Sequence, residues 1–270
     1  KADYALTGNF ANNAYKEAVK FGDIHVAFSS KERNFDRVPT QSELDIRPDA
    51  DYFYICANNT IYGTEYQYDP ETPAGVPLVA DMSSNILSKP VDVSKYGVIY
   101  AGAQKNMGPA GVTVVIVRED LLGSYPLEKY PVMLDWQTMA NKGSMYNTPP
   151  AYGIYICGKV FKWLKKMGGL EVMKQRNEEK AKLLYDFLDQ SKLFKGTVVP
   201  EDRSLMNVPF ITGNADLDAK FVKESKEAGL ENLKGHRTVG GMRASIYNAM
   251  PKKGVETLVA FMKKFEEENL

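Results

Sequence analysis

One lysine, Lys105, lies in a short loop between two apolar runs of the sequence. The runs 97–101 and 112–117 are rich in β-forming residues and short enough to be buried strands. The residues around Lys105 are small, so a planar molecule could approach its side chain. Burial beside packed strands favours the uncharged amine, which is the form that attacks an aldehyde. The pattern favours a Schiff-base lysine, with an exposed loop lysine as the alternative.

An acidic residue, Asp81, ends the apolar run 76–80 upstream of this loop. The carboxyl ends of parallel strands form the edge of an α/β sheet at which ligands bind. Pyridoxal 5′-phosphate needs a lysine for its aldehyde and an acid for its ring nitrogen. Asp81 and Lys105 could supply both from two strand ends. An Asp in such a position is also common as a helix or turn cap.

Three segments around these two residues resemble phosphoserine aminotransferases. They are residues 81–85 (DMSSN), 88–92 (SKPVD) and 101–106 (AGAQKN), and the resemblance extends over nearly the whole chain but not over the family's opening segment. It implies a fold-type I, pyridoxal-phosphate-dependent α/β transferase. Such an enzyme has a large domain with a mostly parallel sheet and a smaller C-terminal α+β domain. The resemblance also implies that Lys105 is the Schiff-base lysine and that Asp81 is the partner of the ring nitrogen.

The resemblance implies further cofactor contacts in the first part of the chain. Thr60 stands in a match to the family's Asn-x-Thr-x-x-Gly pattern, whereas its spacing alone favours an ordinary turn. Phe10 occupies the place at which the family stacks an aromatic residue, usually Trp, on the cofactor ring. A Phe can stack there but offers less area and no N–H donor. Gln104 matches a residue that contacts the cofactor phosphate.

The segment 147–150 (NTPP) has two compatible interpretations. Its local pattern predicts a helix start, with Thr148 as the N-cap and a proline in the first helical position. A helix N-terminus is also a suitable phosphate site. The resemblance implies that Asn147 and Thr148 reach across a dimer interface to the cofactor phosphate of the other subunit. It therefore implies a homodimer with shared active sites.

A basic segment bracketed by glycines lies near residue 240. It contains one of the two histidines, His236, and two arginines, Arg237 and Arg243. Arg243 opens a predicted strand, which is a rigid support for a bidentate contact with a carboxylate. In isolation such a cluster favours a basic surface turn. The resemblance implies that Arg243 holds the substrate's α-carboxylate, and that His236 and Arg237 bind a phosphate or the distal carboxylate of glutamate.

The elements that must position these residues alternate between strand and helix. Strand-like runs occur at 24–28, 52–57, 77–81, 97–103 and 111–117, and a short helix at 11–21. They predict a largely parallel sheet with one antiparallel pair joined near Gly108. Long helices are predicted at about 151–167 and 170–190, then strands at 197–199, 206–212 and 242–247, and helices at 217–228 and 255–268. The predicted domains are residues 1–168 and 169–270.

The composition limits the partners and the compartment. The 270 residues include 34 Lys+Arg and 34 Asp+Glu, so no net charge attracts a nucleic acid or an anionic membrane. The two cysteines lie in separate apolar runs and predict buried free thiols, without a metal or disulfide pattern. The sequence contains neither a long apolar run nor a signal peptide. We therefore expect a cytoplasmic protein that binds neither nucleic acid nor membrane.

The expected reaction follows from the resemblance. It is the transfer of the amino group of L-glutamate to 3-phosphohydroxypyruvate, in two half-reactions, as a step of serine biosynthesis. One alternative is another fold-type I enzyme, such as a related aminotransferase or a desulfurase. A second alternative is a catalytically impaired fragment. It arises because the first residues look like a strand already under way, and the family's His-Arg motif and phosphate-binding Gly-rich loop are not matched.

Overall fold

The computed structural model of this chain describes residues 1–123 and 130–270. In these ranges the strands are β1 (Ala2–Leu6), β2 (Ile24–Ser29), β3 (Phe53–Cys56), β4 (Asn58–Asn59), β5 (Thr64–Glu65), β6 (Leu78–Asp81), β7 (Val98–Gly102), β8 (Thr113–Val117), β9 (Lys195–Gly196), β10 (Asn207–Ile211) and β11 (Met242–Ser245). The helices are α1 (Asn9–Ala18), α2 (Trp136–Asn141), α3 (Ala151–Lys166), α4 (Gly169–Gln190), α5 (Ala215–Glu227) and α6 (Lys252–Asn269).

A six-stranded sheet organises the first half of the chain. Its strand order is β2-β1-β3-β6-β7-β8. The pairs from β2 through β7 are parallel, and β8 alone runs antiparallel, against β7. The predicted mostly parallel sheet with one antiparallel pair at the Gly108 return is confirmed. Every residue of β1 and β3 is buried, as expected for parallel strands whose two faces are both covered.

The register of the sheet brings polar groups to one edge. Asp81, the last residue of β6, pairs with Cys56 of β3 and Tyr100 of β7. The turn that carries Lys105 leaves the sheet next to this point, between β7 and β8. The carboxyl ends of the parallel strands and this turn therefore meet, as ligand sites in open α/β sheets require.

The three hydrophobic clusters of the described ranges form two cores, because two of the clusters lie on the two faces of the same sheet. One covers the faces of the sheet with residues between 2 and 114, and Cys157 of α3 packs into it. The other lies between α4, α5, α6 and the three-stranded sheet β11-β10-β9, with Phe194, Phe210, Phe221 and Phe265 in edge-to-face or tilted contacts. We propose a domain boundary at residues 168 and 169, as the sequence predicts, because both glycines there have positive φ and separate the two long helices.

Three details of the predicted elements are wrong, and one of them is the start of α6, which lies at Lys252, three residues before the predicted position. Residues 197–199 are not a strand, because the short strand β9 lies just before them and the Val199 amide donates to the Asp36 carbonyl instead. Helix α1 ends at Ala18, three residues earlier than predicted, and the chain turns before Gly22. Within the described ranges, none of the helices combines the length and the apolar character that crossing a membrane would need.

Candidate active site

Lys105 is half-buried in the turn between β7 and β8. Its Nζ donates a hydrogen bond of 2.7 Å to the Oγ1 atom of Thr60. Burial lowers the pKa of Lys105, the anionic Asp81 opposes this, and the cationic Arg243 lowers the pKa further. The thiol of Cys56 is close as well, but burial raises the pKa of Cys56, so the thiol is uncharged at neutral pH. The surroundings of Lys105 therefore favour its reactive, uncharged amine.

Thr60 lies in the tight turn between β4 and β5 and is buried. The Nδ2 atom of Asn59 fixes this turn by donating to the hydroxyls of Thr7, at 3.1 Å, and Thr64, at 3.0 Å. Gly63 closes the turn with φ of +77°, in the left-handed region that favours glycine. The Asn-x-Thr-x-x-Gly pattern of the sequence is thus both a turn and the support of a hydroxyl that faces Lys105.

Phe10 stands in the first turn of α1, at the end of β1. Its ring is 42% exposed, and the Nζ atom of Lys105 lies 5.3 Å from the ring centroid. The backbone approaches closely here, because a Cβ atom on Gly8 would lie 2.5 Å from Asn59 Oδ1. The approach brings an accessible aromatic ring beside the lysine amine, an arrangement that can also accept a flat ligand ring.

Asp81 is held by its own loop. Its Oδ1 accepts a 2.8 Å hydrogen bond from the backbone N–H of Ser83. The Oγ atom of Ser83 in turn accepts a 3.1 Å bond from the backbone N–H of Gly102, at the end of β7. Ser83 was not among the predicted site residues, although the Asp-x-Ser spacing is typical of an Asx turn and could have indicated it.

Arg243 reaches the turn of Thr60, between β4 and β5, from the second core. Its side chain leaves β11 and donates to the backbone carbonyl of Thr60 at 3.4 Å. Its buried Nε atom has no hydrogen-bond partner within residues 1–123 and 130–270. A buried guanidinium donor left open beside Lys105 suits a ligand carboxylate.

Gln104, His236 and Arg237 lie outside this group of contacts. Gln104 is exposed and its amide folds over the backbone of Gly102, where an added Cβ would meet it at 2.7 Å. His236 Nδ1 accepts a 3.3 Å bond from the Thr238 amide, and Arg237 is exposed. In the described part of the chain, no hydrogen bond or ion pair links these side chains to Lys105 or Arg243. Their roles stay predictions.

Asn147 and Thr148 are exposed and lie before α3, away from the contacts of Lys105. Asn147 Nδ2 donates only to the Thr148 carbonyl, at 3.5 Å. The predicted N-cap is wrong, because α3 begins at Ala151, its N-cap residue is Pro150, and no side chain caps it. The local pattern therefore placed the helix start two residues early. Pro150, the residue that precedes the helix, has no side-chain acceptor and so gives no capping signal in the sequence.

The chemical groups around Lys105 fit pyridoxal 5′-phosphate. The amine suits its aldehyde, the Thr60 hydroxyl is a donor or acceptor for a ring substituent, and the carboxylate of Asp81 suits a protonated ring nitrogen. The accessible face of Phe10 suits the ring itself. Phe10 is 42% exposed, which leaves part of its ring accessible to a ligand.

Comparisons with known proteins agree with this chemistry. The family model described as Aminotransferase class-V matches residues 2–258. The phosphoserine aminotransferase of Nitrosomonas europaea is 54% identical over 273 residues, which cover 99% of this chain and 74% of that protein. Phosphoserine aminotransferase 2, chloroplastic, of Arabidopsis thaliana is 53% identical, covering 98% of this chain and 63% of that protein.

Solved structures give the same result. The phosphoserine aminotransferase of Bacillus circulans subsp. alkalophilus superimposes with a TM-score of 0.97 at 47% identity, covering 100% of this chain and 74% of that one. The pyridoxal-phosphate-bound phosphoserine aminotransferase of Trichomonas vaginalis gives 0.91 at 40% identity, covering 97% and 75%. The fold-type I architecture predicted from the sequence is confirmed. The chain belongs to the phosphoserine aminotransferase family of the class-V aminotransferases.

Proposed function

We propose that this chain transfers the amino group of L-glutamate to 3-phosphohydroxypyruvate, giving phosphoserine and 2-oxoglutarate. The observation that carries the proposal is the double use of Thr60. Lys105 contacts its hydroxyl at 2.7 Å, and Arg243 contacts its carbonyl at 3.4 Å. A reactive amine and a carboxylate-binding guanidinium thereby contact the same residue, so that both can reach one α-amino or α-keto acid.

Lys105 is the proton-transfer group of the proposed reaction. When bound, pyridoxal 5′-phosphate supplies an electron-accepting ring that eases loss of the substrate's Cα proton. Because burial lowers the pKa of Lys105, its uncharged amine is more available to take that proton and return it later. The short bond to Thr60 Oγ1 holds the amine in place while it is free.

Asp81 is proposed to keep the cofactor's ring nitrogen protonated. A carboxylate at the end of β6, fixed by the Ser83 amide, is a negative charge of set position. Such a charge favours a proton on a facing nitrogen. Thr60, Phe10 and Gln104 would contact the ring and the phosphate, as the family resemblance implies.

Arg243 is proposed to orient both substrates. Its guanidinium would bind the α-carboxylate that glutamate and 3-phosphohydroxypyruvate share, and its buried Nε has no other hydrogen-bond partner among the described residues. His236 and Arg237, on the glycine-bracketed loop before β11, would bind the phosphate or the distal carboxylate. The exposed position of Arg237 and the half-buried position of His236 are compatible with contact to a ligand that reaches out of the site.

We also propose a homodimer in the cytoplasm. The residues on and before α3 leave large apolar side chains uncovered, with Tyr152 76% and Tyr155 58% exposed. A patch of this kind is typical of a subunit interface. Asn147 and Thr148 lie in the same uncovered segment, so a second copy there could receive them at its own site. Both cysteines, Cys56 and Cys157, are free thiols, in keeping with a reducing compartment.

The test compares the half-reaction of cofactor-loaded protein with glutamate in Lys105→Ala, Arg243→Ala and a control. Lys105→Ala should lose turnover, and borohydride reduction of the parent should fix the cofactor to Lys105 in peptide maps. Arg243→Ala should keep the bound cofactor but lose about 2–5 kcal/mol of substrate stabilisation, the usual cost of breaking a charged bidentate contact. The control Arg33→Ala removes an exposed ion pair with Asp36 and should behave as the parent. Label on another lysine, or an unimpaired Arg243→Ala, contradicts the assignment.

A further inference from the structure

One buried amide connects the two cores beside the site. Asn207, the first residue of β10, is completely buried. Its Nδ2 donates to Ser245 Oγ at 3.2 Å and to Tyr247 OH at 3.1 Å, and its Oδ1 accepts from Asn58 Nδ2 at 2.9 Å. The two sides of this one side chain therefore hold the end of β11 and the start of β4.

On the cofactor side, the contact continues through Asn58 into the turn of Thr60. Asn58 is buried, and its Nδ2 also donates to Ser84 Oγ at 2.7 Å. Its Oδ1 accepts from Ser204 Oγ at 2.5 Å. With both polar atoms of its amide engaged, Asn58 is fixed in direction, and it precedes Thr60 by two residues. A movement of Asn207 would thus be felt at the residue that contacts Lys105.

On the substrate side, the contact continues into the strand that carries Arg243. Side chains alternate along a strand, so Arg243 and Ser245 point to the same face of β11, the face that Asn207 holds through Ser245. The direct bond from Arg243 to the Thr60 carbonyl is long, at 3.4 Å, and Nε has no partner among the described residues. The position of the guanidinium therefore depends on what holds β11.

We propose that Asn207 is a positioning residue that sets the distance between the Arg243 guanidinium and the Lys105 amine. The inference rests on the proposed carboxylate-binding role of Arg243. Asn207 touches neither Lys105 nor Arg243, and it acts by linking Asn58 to Ser245 and Tyr247. Loss of the amide frees β11 to shift against the turn of Thr60. A misplacement of about 1 Å can cost up to about a hundredfold in rate.

The test measures binding of 2-oxoglutarate to cofactor-loaded protein by calorimetry, because this keto acid cannot react with the aldehyde form. The variants are Asn207→Ala, Arg243→Ala and the double variant. We expect Asn207→Ala to raise the dissociation constant by about tenfold, within the range that displaced contacts produce. In the Arg243→Ala background, Asn207→Ala should have no further effect, since two residues that act as a unit are non-additive. The affinity for the cofactor and its visible absorbance maximum should stay those of the parent.

Tyr247→Phe serves where Asn207→Ala does not fold. It removes one hydroxyl partner of Asn207 and should raise the same dissociation constant by a smaller factor, about threefold. The matched control is Tyr68→Phe, which loses a hydroxyl bond to the Pro39 carbonyl and should bind 2-oxoglutarate as the parent does.

Each other result has a defined meaning. Additive effects of the two substitutions, or equal losses of cofactor and keto-acid affinity, overturn the inference and leave the role of Arg243 standing. Parent-like binding by Asn207→Ala or by Tyr247→Phe overturns it too. Parent-like binding by Arg243→Ala removes the proposed role of Arg243 and, with it, the basis of the inference.

Discussion

Two lysines of this chain, the half-buried Lys105 and the buried Lys180, have different hydrogen-bonding surroundings. Lys105 has one hydroxyl partner and room for a ligand. Lys180, in α4, is 2% exposed, and its Nζ donates to the carbonyls of Ile246, Tyr247 and Met250 at 3.0, 2.9 and 3.1 Å. Three carbonyl acceptors leave no open position for a ligand. Lys180 therefore fixes the segment that follows β11 and has no part in the reaction.

The surroundings of Lys180 predict an unusual dependence of stability on pH. Burial lowers its pKa to about 8 from 10.5. Between these values the unfolded chain binds a proton at Lys180 that the folded chain has lost, so this residue's contribution to the free energy of unfolding rises with pH. The difference between the parent and Lys180→Met should increase from pH 8 to pH 10 by up to about 1.4 kcal/mol per pH unit.

Urea unfolding at several pH values measures this difference. The matched control is Lys182→Met, which removes an exposed lysine paired with Asp186 on the same helix and should give a difference nearly independent of pH. A parent-minus-Lys180→Met difference that stays flat or falls above pH 8 would show that the three carbonyls keep the ammonium charged.

Some site residues were predicted from local sequence signals, some from the family resemblance, and others were missed. Lys105 and Asp81 stand at strand ends that the apolar runs mark. The roles of Phe10, Thr60 and Arg243 came from the resemblance. In the structure Phe10 and Thr60 lie beside Lys105, and Arg243 contacts Thr60. Asn207 gave no local signal, because its partners lie up to 149 residues away in sequence and depend on how the two cores pack.

At the scale of elements, the turn between β4 and β5 is packed directly against β10. A Cβ atom on Gly63 would lie 2.2 Å from Pro209 Cδ and 2.9 Å from the Asn207 carbonyl. The Ser204 amide also donates to the Gly63 carbonyl at 2.9 Å. Like the Asn58–Asn207 bond, this backbone contact joins the region of β4 to β10. It leaves no space for a side chain on residue 63.

Gly63→Ala should therefore be much more harmful than the same change in an open loop. The control is Gly75→Ala, because Gly75 also has positive φ but has nothing within 4 Å of an added Cβ. Backbone strain alone should cost about 1–2 kcal/mol at either position. The steric overlap at Gly63 should add about 1–3 kcal/mol. Thermal and urea unfolding measure both variants, and equal losses would mean that β10 moves away freely.

The elements themselves were largely predictable, since most follow from hydrophobic periodicity. The strands β3, β6, β7 and β8 are short apolar runs, and α3 and α4 begin and end within about two residues of their predicted bounds, a usual margin for such predictions. The failure at 197–199 has a cause that hydrophobic periodicity does not show. The Val199 amide donates to the Asp36 carbonyl and so cannot pair with a neighbouring strand. No local sequence pattern reveals this partner.

At the scale of the whole molecule, the proposed shared site predicts complementation between two inactive variants. One chain carries Lys105→Ala, and the other carries Asn147→Ala together with Thr148→Ala. A heterodimer contains one site with an intact Lys105 from one chain and an intact Asn147 and Thr148 from the other. Heterodimers isolated with two affinity tags should recover about half of the parent's activity, since one of two equivalent sites is complete.

The control for this experiment is a dimer in which both tagged chains carry Lys105→Ala, and it should stay inactive. Full activity of the Asn147→Ala, Thr148→Ala chain alone would show that these residues do not serve the site. Heterodimers without recovered activity would show that each chain uses its own segment 147–148.

The position of the large sheet in the first half of the chain also sets an order of events during synthesis. Once Val117, the last residue of β8, has been synthesised, the growing chain contains the six described strands of the large sheet. It also contains Lys105 and its two contacts, Thr60 and Phe10. Arg243 follows about 125 residues later, on the order of 10 s at roughly 5–20 residues per second of elongation. We therefore expect the segment with the contacts of Lys105 to be synthesised well before Arg243, the residue proposed to bind carboxylates, is added.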